Sequence, residues 1–113
     1  MDWISLVSDD QLVEIDSKSF NPLIKGVLIF KHSTRCSTSS MSLHRLERNW
    51  DLPATIIPAY FLDLIQYRAL SNKISEIYKI DHESPQVLVI KNGKCIYTTS
   101  HSDINVNDIK SFP

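Results

Sequence analysis

Residues 26–50 read GVLIFKHSTRCSTSSMSLHRLERNW. Val27, Leu28, Ile29 and Phe30 form an uninterrupted apolar run, the pattern of a central strand covered on both faces rather than one. A polar corner follows, and Cys36 stands at its end. Beyond it Leu43, Leu46 and Trp50 recur at i, i+3 and i+7. That spacing predicts a helix with one buried face and with Arg45, Glu47 and Arg48 on its wet faces, ended by Asp51-Leu52-Pro53. A thiol held between a buried strand and the first turn of a helix is chemically unlike an ordinary core cysteine. The flanking chain reads as its scaffold.

Working outward from this stretch, Trp3, Ile4, Leu6 and Val7 predict a short first strand. Ser8 with Gln11 fits a capping box. Leu12 and Ile15 supply the buried face of a short helix, closed by Asn21-Pro22. Downstream, residues 59–64 (AYFLDL) predict a third strand with Pro58 at its mouth. Tyr67, Leu70, Ile74, Ile77 and Tyr78 follow helical spacing. Residues 86–91 (QVLVIK) predict a strand, Asn92-Gly93 a type I′ turn and residues 95–99 the returning strand. Asn105 with Asp108 opens a final helix expected to bury Ile109 and Phe112. The order is β-α-β-α-β-α-β-β-α. Strands separated by helices imply parallel pairing through right-handed crossovers, and the hairpin adds two antiparallel strands at one edge. The expected class is α/β, a mixed central sheet with helices on both faces, in the element order of the thioredoxin-like fold.

The chain has 113 residues, which suits one domain spanning 1–113. It is 42% hydrophobic and 22% charged, an ordinary globular balance. A formal net charge of -1 provides no field to attract nucleic acid or an anionic membrane, so neither is an expected partner. No apolar run approaches the roughly 18 residues of a transmembrane helix. The first residues, MDWISLVSDD, lack the basic and small-residue features of a signal peptide, and a cytoplasmic location is expected. Two cysteines, Cys36 and Cys95, are too few for a disulfide scaffold and are expected to be free thiols in a reducing compartment.

Backbone N–H groups at a helix N-terminus favour negative charge, so a cysteine there is expected to favour its thiolate. Lys31, His32, Arg35, His44 and Arg45 are near enough in sequence to add positive potential, and Ser37, Thr38, Ser39 and Ser40 offer hydroxyls. Cys36 to Ser39 is C-x-x-S, where a dithiol enzyme carries C-x-x-C. With serine in the resolving place, a mixed disulfide on Cys36 must wait for an outside thiol, which points to a monothiol mechanism. Ser84-Pro85, directly before the QVLVIK strand, is a second signal. In a thioredoxin-like fold a proline there is usually cis and shapes a groove where extended substrate pairs; an ordinary trans proline at a strand start is the plain alternative. Cys95 reads as a packed structural thiol, His101 as a surface or capping residue and His82 as a loop residue. His32 and Cys36 are spaced i, i+4, but no further ligands cluster with them, and no metal is expected.

The runs FKHSTRCSTSSMSL, AYFLDL leading into YRALSNKISEIY, SPQVLVIKNGK and TSHSDI resemble the YtxJ-like monothiol bacilliredoxins, from about Ile24 to the C-terminus. The resemblance implies a thioredoxin-like cytosolic protein whose Cys36 removes bacillithiol from mixed disulfides on oxidised proteins and is regenerated by free bacillithiol. No tightly bound cofactor is implied; the small thiol is a co-substrate. Family members commonly carry T-C-P-I-S, whereas this chain has Arg35-Cys36-Ser37-Thr38-Ser39. The cysteine and the serine are kept. The proline is not, which leaves the helix start less rigid. Catalytic roles fall to Cys36 as nucleophile and to Ser39, which with the helix start stabilises the thiolate; Arg35, Ser37, Thr38, Ser84 and Pro85 are the expected substrate-side residues. A second reading is a non-catalytic thioredoxin-like binding or redox-sensing stress module. A third is a dithiol cycle between Cys36 and Cys95, which requires Cα atoms within about 7 Å.

Overall fold

Burial decides the middle of the sheet. In the computed structural model, which describes residues 1–110 apart from the side chains of Ser102 and Lys110, the strand β2 (Val27–His32) is buried at every position. The sheet order is β1-β3-β2-β4-β5, with β1 at Trp3–Ser5, β3 at Ala59–Asp63, β4 at Gln86–Lys91 and β5 at Lys94–Ser100. β1, β3 and β2 run parallel, while β4 and β5 are antiparallel to their neighbours. The mixed sheet and the element order are those expected, with a short 3₁₀ turn at His101–Asp103 added before the last helix. Among the described residues no helix is long and apolar enough to cross a membrane.

The alternation of side chains along each strand sorts the core into two layers. Val27, Ile29, Tyr60, Leu62, Leu88 and Ile90 pack against α1 (Asp9–Lys18) and α3 (Arg68–Tyr78). Leu28, Phe30, Ala59, Val87 and Val89 pack against α2 (Ser37–Asn49) and α4 (Val106–Lys110). Gln11 caps α1 as its spacing predicts: its Oε1 accepts from the N–H of Ser8 at 3.1 Å and of Val7 at 2.7 Å. Asn105 Oδ1 accepts from the N–H of Asn107 at 2.8 Å to start α4, which buries Ile109; Phe112 lies outside the described residues. The β4–β5 hairpin turns at Asn92 and Gly93, both with positive φ (53° and 74°), the conformation that a type I′ turn requires.

Three local readings need correction. The strand continues past its apolar run, so Lys31 and His32 belong to β2 rather than to the corner. The α2 face turned to the sheet is centred on Ser39, Ser42 and Leu46, with Leu43 and Trp50 half-buried beside it. Ile77, although in helical register with Ile74, is exposed.

Lys31 faces the α3 layer, wholly buried, and its ammonium donates to Ser71 O and to Ser75 Oγ, each at 3.0 Å. Burial, with the nearby Arg68 charge, lowers its pKa to about 8. The sign follows from proton binding. Between about pH 8 and the unfolded value of 10.5 the unfolded chain holds the proton more tightly, so stability from this residue rises with pH. Below about pH 8 its full destabilisation is present, on the order of 3 kcal/mol by the size of the shift. Lys31→Met removes the buried charge, and chemical denaturation should find the variant at least as stable as the wild type at pH 7. The difference should narrow as the pH is raised towards 10.5. A constant difference across that range would show that Lys31 folds without this cost.

Candidate active site at the start of α2

The site is built where β2 ends. β2 and β4 are antiparallel with Lys31 opposite Gln86, so the chain leaves β2 into the Cys36 corner at the end of the sheet where Pro85 enters β4. Leu64 N–H donates to His32 O at 3.0 Å and extends the β2–β3 pairing up to the corner. Cys36 N–H donates to Ser33 O at 3.2 Å and closes the turn. Cys36 is then the N-cap of α2, in extended backbone (φ −110°, ψ 118°), and its carbonyl accepts the first intrahelical bond, from Ser40 N–H at 3.2 Å. Its side chain is partly exposed and its thiol is free. The first turn of α2 carries no acidic residue, so nothing there opposes the positive end of the helix dipole.

Arg35, Ser37 and Thr38 are exposed around the thiol. Ser39 is not: it is fully buried at the third helical position. Its Oγ accepts from Ser33 N–H at 3.1 Å and lies 2.7 Å from His32 Nδ1. His32 is 6% exposed, with its ring 5.4 Å from that of Phe61 and 6.2 Å from that of Phe30. Burial lowers its pKa below the usual histidine value, opposed by the Asp63 and Glu47 carboxylates and reinforced by His44. The imidazole is therefore neutral at neutral pH. This partnership was missed in the sequence. Continuing the strand alternation two residues past Phe30 would have put His32 on the α2 face, next to the serine of the C-x-x-S motif.

On the other side of the corner the Ser84-Pro85 peptide is cis, Pro85 is buried and Ser84 is half-buried. Pro85 O accepts from His101 N–H at 3.0 Å, and His101 O accepts from Ser42 Oγ of α2 at 3.0 Å. These two bonds tie the proline to the helix that carries Cys36. His101 is otherwise an exposed residue, paired with Glu83 at 3.1 Å. His82 lies in the loop before Pro85, near Arg68 and Ser71.

Cys95 is far from this corner. It pairs with Ile90 on the edge strand, four residues along β4 from Gln86. That is roughly 13 Å along the strands, with β4 also standing between β5 and β2. A Cys36–Cys95 bridge is excluded in this fold. The Cys95 thiol is packed against the α1/α3 layer and donates to Tyr97 O at 3.2 Å; burial pushes its pKa up.

A partly exposed cysteine at the N-cap position of a helix, at the same end of a mixed sheet as the proline that opens β4, fits a protein of the thiol–disulfide oxidoreductase class with a thioredoxin-like fold. Solved structures share the fold. One described as an oxidoreductase with a thioredoxin fold shares 31% identity over 95% of this chain and 89% of its own, with a TM-score of 0.74. The thioredoxin of Malassezia sympodialis shares 20% identity over 94% and 84%, with a TM-score of 0.70, and the Schistosoma mansoni thioredoxin pre-protein 20% over the full length of both, with a TM-score of 0.65. Residues 4–109 match the family described as monothiol bacilliredoxin BrxC, and the chain belongs to that family.

The two thiols should separate in a simple assay. At pH 7.5 iodoacetamide should place one adduct on Cys36, at least about tenfold faster than on Cys95, whose thiol is packed against the α1/α3 layer and held above its usual pKa. Peptide mapping after timed quenching reads the ratio, and comparable rates would contradict the difference in setting between the helix-start thiol and the packed one.

Proposed function

We propose that this protein removes bacillithiol from mixed disulfides on oxidised proteins by a monothiol cycle at Cys36. The Cys36 thiolate attacks the bacillithiol sulfur of the protein mixed disulfide. The S–S bond breaks, the substrate protein leaves as its thiolate, and Cys36 is left joined to bacillithiol. A second bacillithiol thiolate then attacks the bacillithiol sulfur of that adduct, releasing the Cys36 thiolate and bacillithiol disulfide. Atoms and electrons balance: one bacillithiol is consumed as reductant for each protein thiol restored.

The observation that carries this reading is a cysteine at the N-cap position with a hydroxyl, Ser39, at the resolving place, while the second cysteine sits at the other end of the sheet. No internal thiol can open the adduct, so an outside thiol must. Family membership supports bacillithiol as that thiol. Arg35, Ser37 and Thr38 flank the incoming disulfide on the open side, and Ser84 and Pro85 border the groove for an extended protein segment. The helix start and Ser39 stabilise the thiolate in both steps. The cycle uses no bound metal or prosthetic group. It works in a reducing cytoplasm after oxidative stress has capped protein thiols.

Intact mass spectrometry tests it. Bacillithiol disulfide should add one bacillithiol to the wild type and none to Cys36→Ser, and excess reduced bacillithiol should strip it. A bacillithiolated protein should be restored catalytically by the wild type alone. An unmodified wild type would sink the proposal; an adduct that forms without turnover would leave a redox-sensing module instead.

A further inference from the structure

Ser39 cannot be understood without His32, and the pair deepens the reading of Cys36 as the reacting thiol, on which it rests. We propose that His32 is the positioning residue of the site, holding the Ser39 hydroxyl so that its proton is directed to the Cys36 sulfur when that sulfur carries charge.

A serine hydroxyl has one proton and two acceptor lone pairs. At Ser39 one lone pair takes the Ser33 N–H, and His32 Nδ1 lies at 2.7 Å to occupy a further direction. A neutral imidazole has two tautomers. If Nδ1 is bare, it accepts the Ser39 proton. If Nδ1 carries hydrogen, it donates into the second lone pair, and the Ser39 proton is freed for a third partner. Negative charge on a nearby sulfur favours the second arrangement, because only that one turns a donor towards it.

The Cys36 sulfur is the third partner that this reading assigns. Cys36 is the N-cap and Ser39 the third helical residue, so the two stand within one turn of each other at the helix start. The bond from Ser33 N–H shows the Ser39 side chain folded back beneath the corner instead of lying along the helix. His32 itself is too deeply buried to touch an incoming disulfide, so it acts through Ser39. Its ring is fixed by Phe30 and Phe61, and the ionisable groups that face it are Asp63 from the end of β3 and Glu47 and His44 from α2. Burial, aided by His44 and opposed by the two carboxylates, favours the neutral imidazole, which can change tautomer without taking up a net charge.

The test follows alkylation of Cys36 by iodoacetamide from pH 5 to pH 10, which needs no bacillithiol. Failure of the proposed substrate would therefore leave its outcome untouched. His32→Leu and Ser39→Ala should each slow alkylation about tenfold at neutral pH and move the pH–rate profile upward, by the loss of one hydrogen bond to a charged sulfur. His32→Asn, whose amide can stand in for the Nδ1 donor, should keep most of the wild-type rate. His32→Leu added to Ser39→Ala should change nothing further, because the residue acts only through that hydroxyl. A His32→Leu profile that superimposes on the wild type overturns the proposal, as does an equal slowing in the Ser39→Ala background. If circular dichroism shows His32→Leu unfolded, Ser39→Ala decides alone: a folded variant with the wild-type profile overturns the proposal.

Discussion

Everything in this fold depends on keeping β2 dry on both faces. Val27 to Phe30 do so by being apolar, with two residues given to each layer. Lys31 and His32 continue the strand into a region where the side chains are polar, yet the sheet and helices still cover them. Each is kept by partners from the layer it faces: Lys31 by Ser71 and Ser75 of α3, His32 by Ser39 of α2. A buried polar group without a partner costs more than a hydrogen bond returns, so these contacts fix how both helices dock at the upper end of the sheet. The corner that bears Cys36 is the point where this dry strand finally meets solvent.

The order of elements was legible because its signals are local. An apolar run of four, a capping pair, an Asn-Gly turn and helical spacing each act within a few residues, and together they give the strands, helices and the hairpin in sequence. The C-x-x-S motif and the proline before β4 were legible for the same reason, and the antiparallel pairing of Lys31 with Gln86 brings them to one end of the sheet. The polar half of the site was not. The strand alternation carried on from Phe30 gives the face of His32, but not its burial, since its cover comes from a helix packed across the strand. The orientation of α2 was misread by the same blindness. Leu43 looks like the centre of the face, but the strand beneath ends in a histidine and the neighbouring 3₁₀ segment offers a carbonyl, so Ser39 and Ser42 fill the centre instead.

Cys95 shows why a count of thiols decides little without a topology. Two cysteines in 113 residues invite a bridge, and the hairpin that carries Cys95 does border the strand preceded by Pro85. The register removes the possibility. Pairing with Ile90 places Cys95 at the far end of β4, where burial raises its pKa and its S–H donates to the Tyr97 carbonyl. It is a small packing residue on an edge strand.

Distance thus turns a motif into a mechanism. In a dithiol site the residue three places after the nucleophile carries out the second chemical step. Here that residue is a buried hydroxyl, which can donate and accept hydrogen bonds but cannot form a disulfide. Its bonds to Ser33 N–H and His32 Nδ1 fix its position at the base of the corner that carries Cys36. The same environment serves both halves of the proposed cycle, because Cys36 enters as a thiolate in the first and leaves as one in the second. A group that favours the charged sulfur accelerates its release as a leaving group, while costing some of its strength as an attacking one. In the proposed cycle no internal thiol competes for the adduct, so the lifetime of the mixed disulfide would be set by how readily an outside thiol reaches the open side of Cys36, between Arg35 and the first turn of α2.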